Sequence, residues 1–417
     1  MKEKICVVGL GYVGLPLACL LSKHFSVSGF DISERKIKDL QNGIDETGEI
    51  DNLKKYQLEY SANPSIISQA NFIIVAVPTP ITEDLKPDLT PLESASEIVG
   101  KNLQAGSVVV YESTVYPGCT REVCLPILEQ RSGLKFGTDF QLGYSPERVN
   151  PGDRVHTIET ITKIISASDP QTLARLKAVY GQITQVHEAQ TIEVAEAAKV
   201  IENVQRSLNI ALMNELSLIF DKLGINTKDV IEAAATKWNF HKYSPGLVGG
   251  HCIGVDPYYL TYKAQQEGYE PKIILSGQEV NESMAGLVAQ KFAGKINVLV
   301  LGITFKENVP DSRNTKALNV MSRLAEQGSK IYWHDPVFTA KHQPQAFSAY
   351  PYLPSLAGSP VKFDGILLFS PHQIFGSADY DLAKLKEICN DQALIFDVKG
   401  FYNQTEVENL GFKYLTL

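Results

Sequence analysis

The stretch Pro245-Gly-Leu-Val-Gly-Gly-His-Cys252-Ile-Gly-Val-Asp256-Pro257 sets one thiol among four glycines. Glycines let the backbone pass close to a ligand, and they leave Cys252 accessible. A cysteine attacks as the thiolate, so a positive neighbour helps; Lys199 and His251 are the candidates. An isolated cysteine otherwise serves as a small buried hydrophobe, and it is the glycine-rich setting that favours the nucleophile here. Asp256 follows four residues on, about one helical turn. Lys199, Asn203 and Arg206 are spaced i, i+4, i+7, so a helix places them on one face. The bland reading of that face is a solvated polar stripe. Apolar residues dominate its flanks, however, and buried Lys, Asn and Arg side chains need partners.

A second constellation stands at the start of the chain. Ile5-Cys-Val-Val8 is an apolar run suited to a strand buried on both faces. Gly9-Leu-Gly11-Tyr-Val-Gly14 follows directly, then a helical stretch to Lys23 and a second strand, Val27–Phe30, ending in Asp31. This is G-x-G-x-x-G in its required context of strand, turn and helix, with an acid 20 residues after Gly11. Gly9 allows the tight turn, Gly11 admits a pyrophosphate, and Gly14 lets the helix pack on the sheet. The helix N-terminus stabilises the anion. Asp31 is expected to accept from ribose hydroxyls and to repel a 2′-phosphate, which favours NAD over NADP. The bland alternative is a tight turn with no ligand.

The elements that must position these groups alternate along the chain. Strands are expected at Phe72–Val77, Ser107–Tyr111 and Phe140–Tyr144, ending in Pro78-Thr79-Pro80, Glu112-Ser113-Thr114 and Ser145-Pro146-Glu147-Arg148. In an open parallel sheet, ligands sit beyond the carboxyl ends of the strands, so Thr79, Thr114, Glu147 and Arg148 crowd one rim. From Thr191 to Leu223 there is no Gly or Pro, which predicts a helix stopped by Gly224. A second α/β domain begins near Lys291, with strands at Asn297–Gly302, Lys330–His334, Asp364–Phe369 and Ala393–Asp397. It lacks G-x-G-x-x-G, and Lys306 and Arg313 stand where an anion would sit. An NAD site with a nucleophilic cysteine and Lys/Asn donors suggests a four-electron oxidation: alcohol to aldehyde, thiohemiacetal to thioester, and hydrolysis to a carboxylate.

These motifs, in this order, resemble the family of nucleotide-sugar 6-dehydrogenases that includes the UDP-glucose and GDP-mannose dehydrogenases. The resemblance rests on Gly9–Pro16, Val77–Pro80, Glu112–Gly118, Ser145–Arg148, Ala198–Asn203, Gly249–Cys252 with Asp256, and Phe305-Lys306 through Arg313. The form Ser145–Asp153 with Val255–Tyr259 looks like the branch acting on UDP-N-acetylhexosamines. The resemblance implies Cys252 as nucleophile, Lys199 and Asn203 as oxyanion stabilisers, Asp256 assisting through water, and Glu147 as base in thioester hydrolysis. It implies NAD contacts at Gly9, Gly11, Tyr12, Val13, Gly14, Asp31, Arg35, Thr79 and Thr114, with Thr114 also counted as catalytic. For the sugar nucleotide it implies Glu147, Arg148, Val149, Lys199, Asn203, Arg206, Tyr243, Gly249, Lys306 and Arg313. UDP-glucose dehydrogenases carry a second Glu where this chain has Pro151, which weakens that substrate. The family often places an Arg from a neighbouring subunit near the sugar; here Lys237, His241 and Lys242 occupy that region.

Length and charge bound the rest. At 417 residues the chain predicts about two or three domains. The expected fold class is α/β: two Rossmann-like doubly wound domains joined by a long central helix and helical region. The expected divisions are 1–190 for NAD, 191–290 for the long helix, the cysteine loop and a dimer seam, and 291–417 for the UDP-sugar. A net charge of −8 with no basic run argues against nucleic acid. Six scattered cysteines, with no cluster to complete a metal site, fit a reducing, cytoplasmic setting. The apolar run Ile5–Leu21 imitates a membrane anchor, but its glycines and its length argue against insertion. The expected product is a uronic acid for surface-polysaccharide biosynthesis, made from UDP-N-acetylglucosamine or UDP-N-acetylgalactosamine by a homodimer. UDP-N-acetylmannosamine or UDP-glucose is the alternative substrate. A two-electron dehydrogenase and a non-catalytic sugar-nucleotide-binding protein are the rival functions.

Overall fold

The computed structural model describes residues 3–149, 155–250, 252–339 and 343–417. His251 and Pro151 therefore lie outside the described residues, as does part of the Ser145–Asp153 motif. The chain forms two compact units, one of Met1–Glu202 with Tyr258–Glu270 and one of Asn203–Pro257 with Pro271–Leu417.

The first unit is built on β1 (Lys4–Val8), β2 (Ser26–Phe30), β3 (Leu58–Ser61), β4 (Phe72–Val75), β5 (Ser107–Tyr111), β6 (Phe140–Tyr144), β7 (Lys163–Ala167) and β8 (Val186–Glu188). Their order in the sheet is β3-β2-β1-β4-β5-β6-β7-β8. The first six follow the doubly wound dinucleotide-binding order. Strands β4 and β5 are buried at every residue, as strands covered on both faces must be. Leu15, Leu17 and Leu21 from the helix Gly14–Ser22 pack into one core with Val7, Phe72, Ile74 and Val108. Each such side chain contributes about 1.5–3 kcal/mol. The run that imitates a membrane anchor is thus β1, its glycine turn and this helix. Among the described residues, no helix is long and apolar enough to cross a membrane.

All pairings in this sheet are parallel except β6 with β7, which run antiparallel with Gly143 opposite Ala167 and Tyr144 opposite Ser166. The sequence reading did not foresee β3, β7 or β8. β3 and β8 are short edge strands, where a long buried apolar run is not required, whereas β7 is an interior strand of five residues whose opening lysine disguises it. The reversal of β7 places its first residue, Lys163, at the rim where the other strands end.

The second unit carries β9 (Asn297–Leu301), β10 (Lys330–His334), β11 (Phe363–Leu368), β12 (Cys389–Asp397) and β13 (Lys413–Thr416), in the order β10-β9-β11-β12-β13. All are parallel. Counted from its own first strand this is 2-1-3-4-5, the other doubly wound order, whose ligand crevice opens between the first and third strands, here β9 and β11. Trp333, Phe347, Phe292, Met321 and Leu324 fill one side of the sheet.

The long helix runs Ile192–Leu223, 32 residues, one shorter at its start than expected. Its apolar flanks are not all buried, contrary to the simplest reading of its composition. Val194, Ile201, Leu212, Ile219 and Leu223 are 45–63% exposed. At about 100° per residue they fall on one narrow line along the helix.

Candidate active site

The nucleotide turn in the first unit has the geometry its glycines predict. Gly9 sits at φ +94°, and a Cβ there would come within 2.6 Å of the Ala76 carbonyl oxygen. A Cβ on Gly14 would collide with the Gly9 carbonyl, so the helix can pack this closely only on glycine. Gly11 faces open space, as a position that must admit a pyrophosphate should. Tyr12 and Val13 sit between these glycines, with Val13 capping the helix and Tyr12 at the surface. Asp31 is 7% exposed at the end of β2. Its Oδ2 accepts from the Leu10 N–H (3.0 Å) and from Lys36 Nζ (2.7 Å), and its Oδ1 from the Ser33 N–H (3.0 Å). Arg35, expected near the cofactor, is instead paired with Glu46 at 2.9 Å. Lys36 is the cation that reaches Asp31. The sequence reading passed it over, although it lies on the same helix, Glu34–Gln41, one residue on.

The strand ends of this unit are tied together. Ser113 Oγ donates to the Val77 carbonyl (2.7 Å) and accepts from its N–H (3.0 Å), and the Ser113 carbonyl accepts from Tyr144 Oη (3.1 Å). This holds Thr79 and Thr114, both half-buried, on neighbouring loops. The turn after Thr114 is anchored by Glu196 of the long helix, which accepts from the N–H groups of Gly118 (2.6 Å) and Thr120 (3.0 Å). Burial pushes the Glu196 carboxyl up to about 7. Glu147 Oε1 accepts from its neighbours' N–H groups, Arg148 at 2.6 Å and Val149 at 2.8 Å. Burial pushes the pKa of this carboxyl up, but Lys163 and those two N–H groups outweigh it and hold the group below the usual carboxylate range. Arg148 spans Glu202 (2.7 Å) and the Thr162 carbonyl (2.7 Å). Its Nε is buried and finds no acceptor among the described residues.

The long helix carries Lys199, 7% exposed, one turn before Asn203, 4% exposed. In the second unit, Asn203 Nδ2 donates to Asp256 Oδ2 at 2.6 Å, while Asn203 Oδ1 accepts from Arg206 at 3.4 Å. Asp256, 2% exposed, opens the helix Asp256–Gln266. Its N–H donates to the Cys252 carbonyl at 2.9 Å, so the thiol residue and this carboxylate share one turn. Of the six cysteines Cys252 alone is not buried. Burial pushes the thiols of Cys6, Cys19 and Cys389 to about 12, which leaves them inert near neutral pH.

The cysteine loop is docked on the loop that follows β9. Gly250 N–H donates to the Asn314 carbonyl (3.1 Å), and Asn314 Nδ2 donates back to the Gly250 carbonyl (2.8 Å). Gly250 is at φ +81°, and a Cβ there would lie 2.7 Å from the Phe305 ring. Gly249 faces Asn314 as closely, at 2.7 Å from a built Cβ to its carbonyl oxygen. Asn314 and Phe305 were not singled out from sequence as contacts of the cysteine loop; the two segments lie far apart in the chain and no local pattern links them. Lys306 is half-buried in the same loop. Arg313 is turned onto Asp311, Nη2 to Oδ2 at 2.7 Å, with its side chain 58% exposed. Tyr243 is half-buried in the irregular stretch before the cysteine loop.

Comparison with known proteins accounts for nearly the whole chain. The UDP-glucose/GDP-mannose dehydrogenase family matches with its NAD binding domain at residues 3–184, its central domain at 193–283 and its UDP binding domain at 299–404. The chain belongs to the UDP-glucose/GDP-mannose dehydrogenase family. Protein CapL of Staphylococcus aureus is 48% identical over 98% of each chain. The UDP-N-acetyl-D-glucosamine 6-dehydrogenase of Pseudomonas aeruginosa is 46% identical over 96% of this chain and 97% of its own. The solved UDP-D-ManNAc dehydrogenase of Pyrococcus horikoshii superposes with a TM-score of 0.86 at 27% identity, covering 99% and 98% of the two chains. As a member of this family the protein is an NAD-dependent dehydrogenase. Asp31→Ala is expected to raise the KM for NAD about ten- to a hundredfold, as loss of a charged hydrogen-bond acceptor does, and to narrow the preference over NADP. Steady-state kinetics with both cofactors checks this; a wild type that uses NADP equally well puts Asp31 elsewhere.

Proposed function

We propose that the enzyme oxidises C6 of UDP-N-acetylglucosamine or UDP-N-acetylgalactosamine to the uronic acid, with two NAD consumed per sugar, in the cytoplasm and for surface-polysaccharide biosynthesis. The observation that carries this reading is the docked Cys252 loop: the one thiol that is not buried shares a turn with Asp256 and is locked onto the loop bearing Lys306. The near-full-length relative whose name specifies UDP-N-acetyl-D-glucosamine supports the sugar class at 46% identity, against 27% for the solved enzyme named for the mannosamine sugar.

The Gly9–Gly14 turn would hold NAD, which would supply the hydride acceptor for each of two oxidations, with the C6 hydroxyl proton released to solvent in the first. Lys199 and Asn203 stabilise the C6 oxygen as charge develops on it, with the Asn203 amide fixed by Asp256. After the first oxidation, Cys252 Sγ adds to the aldehyde carbon to give a thiohemiacetal, and the second oxidation leaves a thioester on Cys252. Water then adds to the acyl carbon and Glu147 takes its proton. The C–S bond breaks, Cys252 leaves as thiolate and the carboxylate is formed. Lys306 and Arg313 bind the diphosphate half of the substrate, Arg313 exchanging Asp311 for the ligand. Arg148, Val149, Arg206, Tyr243 and Gly249 complete the sugar-nucleotide contacts.

The divisions 1–190, 191–290 and 291–417 are supported by the three family spans. A homodimer is supported by the straight apolar stripe of Val194, Ile201, Leu212, Ile219 and Leu223, which a second copy of the same helix would cover.

The test is a panel of UDP-sugars with NADH counted per sugar. Two per N-acetylhexosamine is expected; one marks a two-electron dehydrogenase, and none a binding protein. Lys306→Ala is expected to raise the sugar-nucleotide KM about ten- to a hundredfold while sparing that for NAD, since a charged donor at a desolvated anion is worth about 1.5–3 kcal/mol. Unchanged affinity in a binding titration places the anion site elsewhere.

A further inference from the structure

Lys163 is a buried cation to which the catalytic reading assigns nothing. Because β7 runs against its neighbour β6, its first residue lies at the rim where the other strands end, the side of the sheet on which ligands bind. Lys163 Nζ lies 2.9 Å from Glu112 Oε2 and 3.4 Å from Glu147 Oε2, and it donates to the Pro146 carbonyl at 3.4 Å. Tyr180 Oη donates to Glu112 Oε1 at 2.6 Å, and the Tyr180 ring lies 5.4 Å from the ammonium. The Lys163 and Glu112 side chains are 5% and 0% exposed, and Glu147 is 13% exposed. The four groups form a line, Tyr180, Glu112, Lys163, Glu147, closed at the buried end and open to the rim only at Glu147.

We propose that Lys163 is a positioning residue for thioester hydrolysis, holding Glu147 as an oriented carboxylate ready to take the proton of the attacking water. The proposal rests on the reading of Glu147 as the hydrolytic base. One Glu147 oxygen is spoken for by the N–H groups of Arg148 and Val149, so Lys163 governs the other. Among the described residues, the charged and titratable groups facing Glu147 are Glu112 from the end of β5, Lys163 from β7, Tyr180 from the helix Pro170–Tyr180, and Arg148 from its own loop, itself held by Glu202 of the long helix. Two buried carboxylates beside one ammonium make a cluster in which the cation decides how many protons are bound. Burial pushes the Glu112 carboxyl up, while the two carboxylates keep Lys163 charged in spite of its burial. A buried ion pair is a poor device for stability alone; placed behind a base it fixes protonation and direction.

The cluster predicts shifts of opposite sign. Removal of the cation by Lys163→Met raises the Glu147 pKa, so hydrolysis is lost at a higher pH as acidity increases. An opposite charge at this range is worth about 1–3 units, so the acid limb of acyl-enzyme decay moves up by about that much, with a tenfold loss per unit below it. Glu112→Gln removes the competing carboxylate, leaves Lys163 to Glu147 alone and moves the limb down. Lys163→Arg restores the position toward wild type. The measurement is quenched-flow mass spectrometry of the Cys252 adduct across pH, with NADH followed in parallel; two NADH in the first turnover and a persistent adduct at low pH are expected of Lys163→Met. A folded Lys163→Met protein with the wild-type limb overturns the proposal. If that variant does not fold, an absent or upward shift in Glu112→Gln overturns it. Glu147→Gln separates the two readings: an adduct that decays at the wild-type rate removes Glu147 as base, whereas a stalled adduct with no shift in Lys163→Met removes Lys163 alone.

Discussion

Cys252→Ser is expected to lower turnover by several orders of magnitude, as loss of a covalent nucleophile does, with little change in folding. Serine keeps the shape of the half-exposed residue, and the docking bonds between Gly250 and Asn314 do not involve its side chain. What it removes is the stronger nucleophile, since a thiol is far more nucleophilic than a hydroxyl. The first oxidation needs no thiol, so aldehyde should form slowly and stay bound or leak. The second oxidation needs a tetrahedral adduct, and the serine adduct forms poorly. Any acyl group that reaches the serine is an ester, which hydrolyses slowly and appears as a mass increase. Mass spectrometry after incubation with substrate and NAD, beside a stopped-flow count of NADH, reads both outcomes. Release of two NADH per sugar at near wild-type rate sinks the covalent mechanism. No other cysteine can substitute, because the other five are buried.

How much of this was legible in the sequence depends on how local each feature is. The nucleotide turn was legible because its demands are backbone demands: Gly9 must turn, Gly14 must not carry a Cβ, and both facts are written in residue type. β5 matches its expected range because a strand buried on both faces is a continuous apolar run; β6, interrupted by Gln141, and the edge strand β10, which opens on the exposed Lys330, match on their remaining apolar and aromatic residues. β7 was not legible. Its four apolar or small residues follow a lysine, and nothing local says that the strand runs backwards or that its lysine meets two glutamates from β5 and from the loop after β6. Lys36 shows the same limit on a smaller scale: two adjacent cations on one short helix, of which only helical phase decides that Lys36 meets Asp31 and Arg35 meets Glu46. The long helix was legible as a helix, but its apolar stripe reads as core until its exposure is measured. Asn314 escaped because a reciprocal pair of hydrogen bonds between segments about 60 residues apart leaves no periodicity to detect.

The second large effect is expected at Lys199. The helix Ile192–Leu223 sets Lys199 and Asn203 one turn apart, and the Asn203 amide is already oriented by Asp256 at 2.6 Å. A buried lysine one helical turn from an oriented amide suits a negative oxygen, and in the proposed reaction such an oxygen develops at C6 in both oxidations and again in hydrolysis. Interactions made only with developing charge act on kcat rather than on KM. Lys199→Met keeps the length and the apolar stem and deletes the charge. Removing one preorganised donor of this kind typically costs about 10²–10³ in kcat, so kcat should fall by that factor while both KM values stay within a few fold. The stoichiometry should remain two NADH per sugar, because the thiol is intact; this separates Lys199→Met from Cys252→Ser. A lysine retained for packing would give the reverse pattern, a lowered Tm with kcat preserved. Thermal unfolding and steady-state kinetics on the same preparation therefore decide the matter: a Tm within a few degrees of wild type and a collapsed kcat are expected, and an unchanged kcat removes Lys199 from the chemistry.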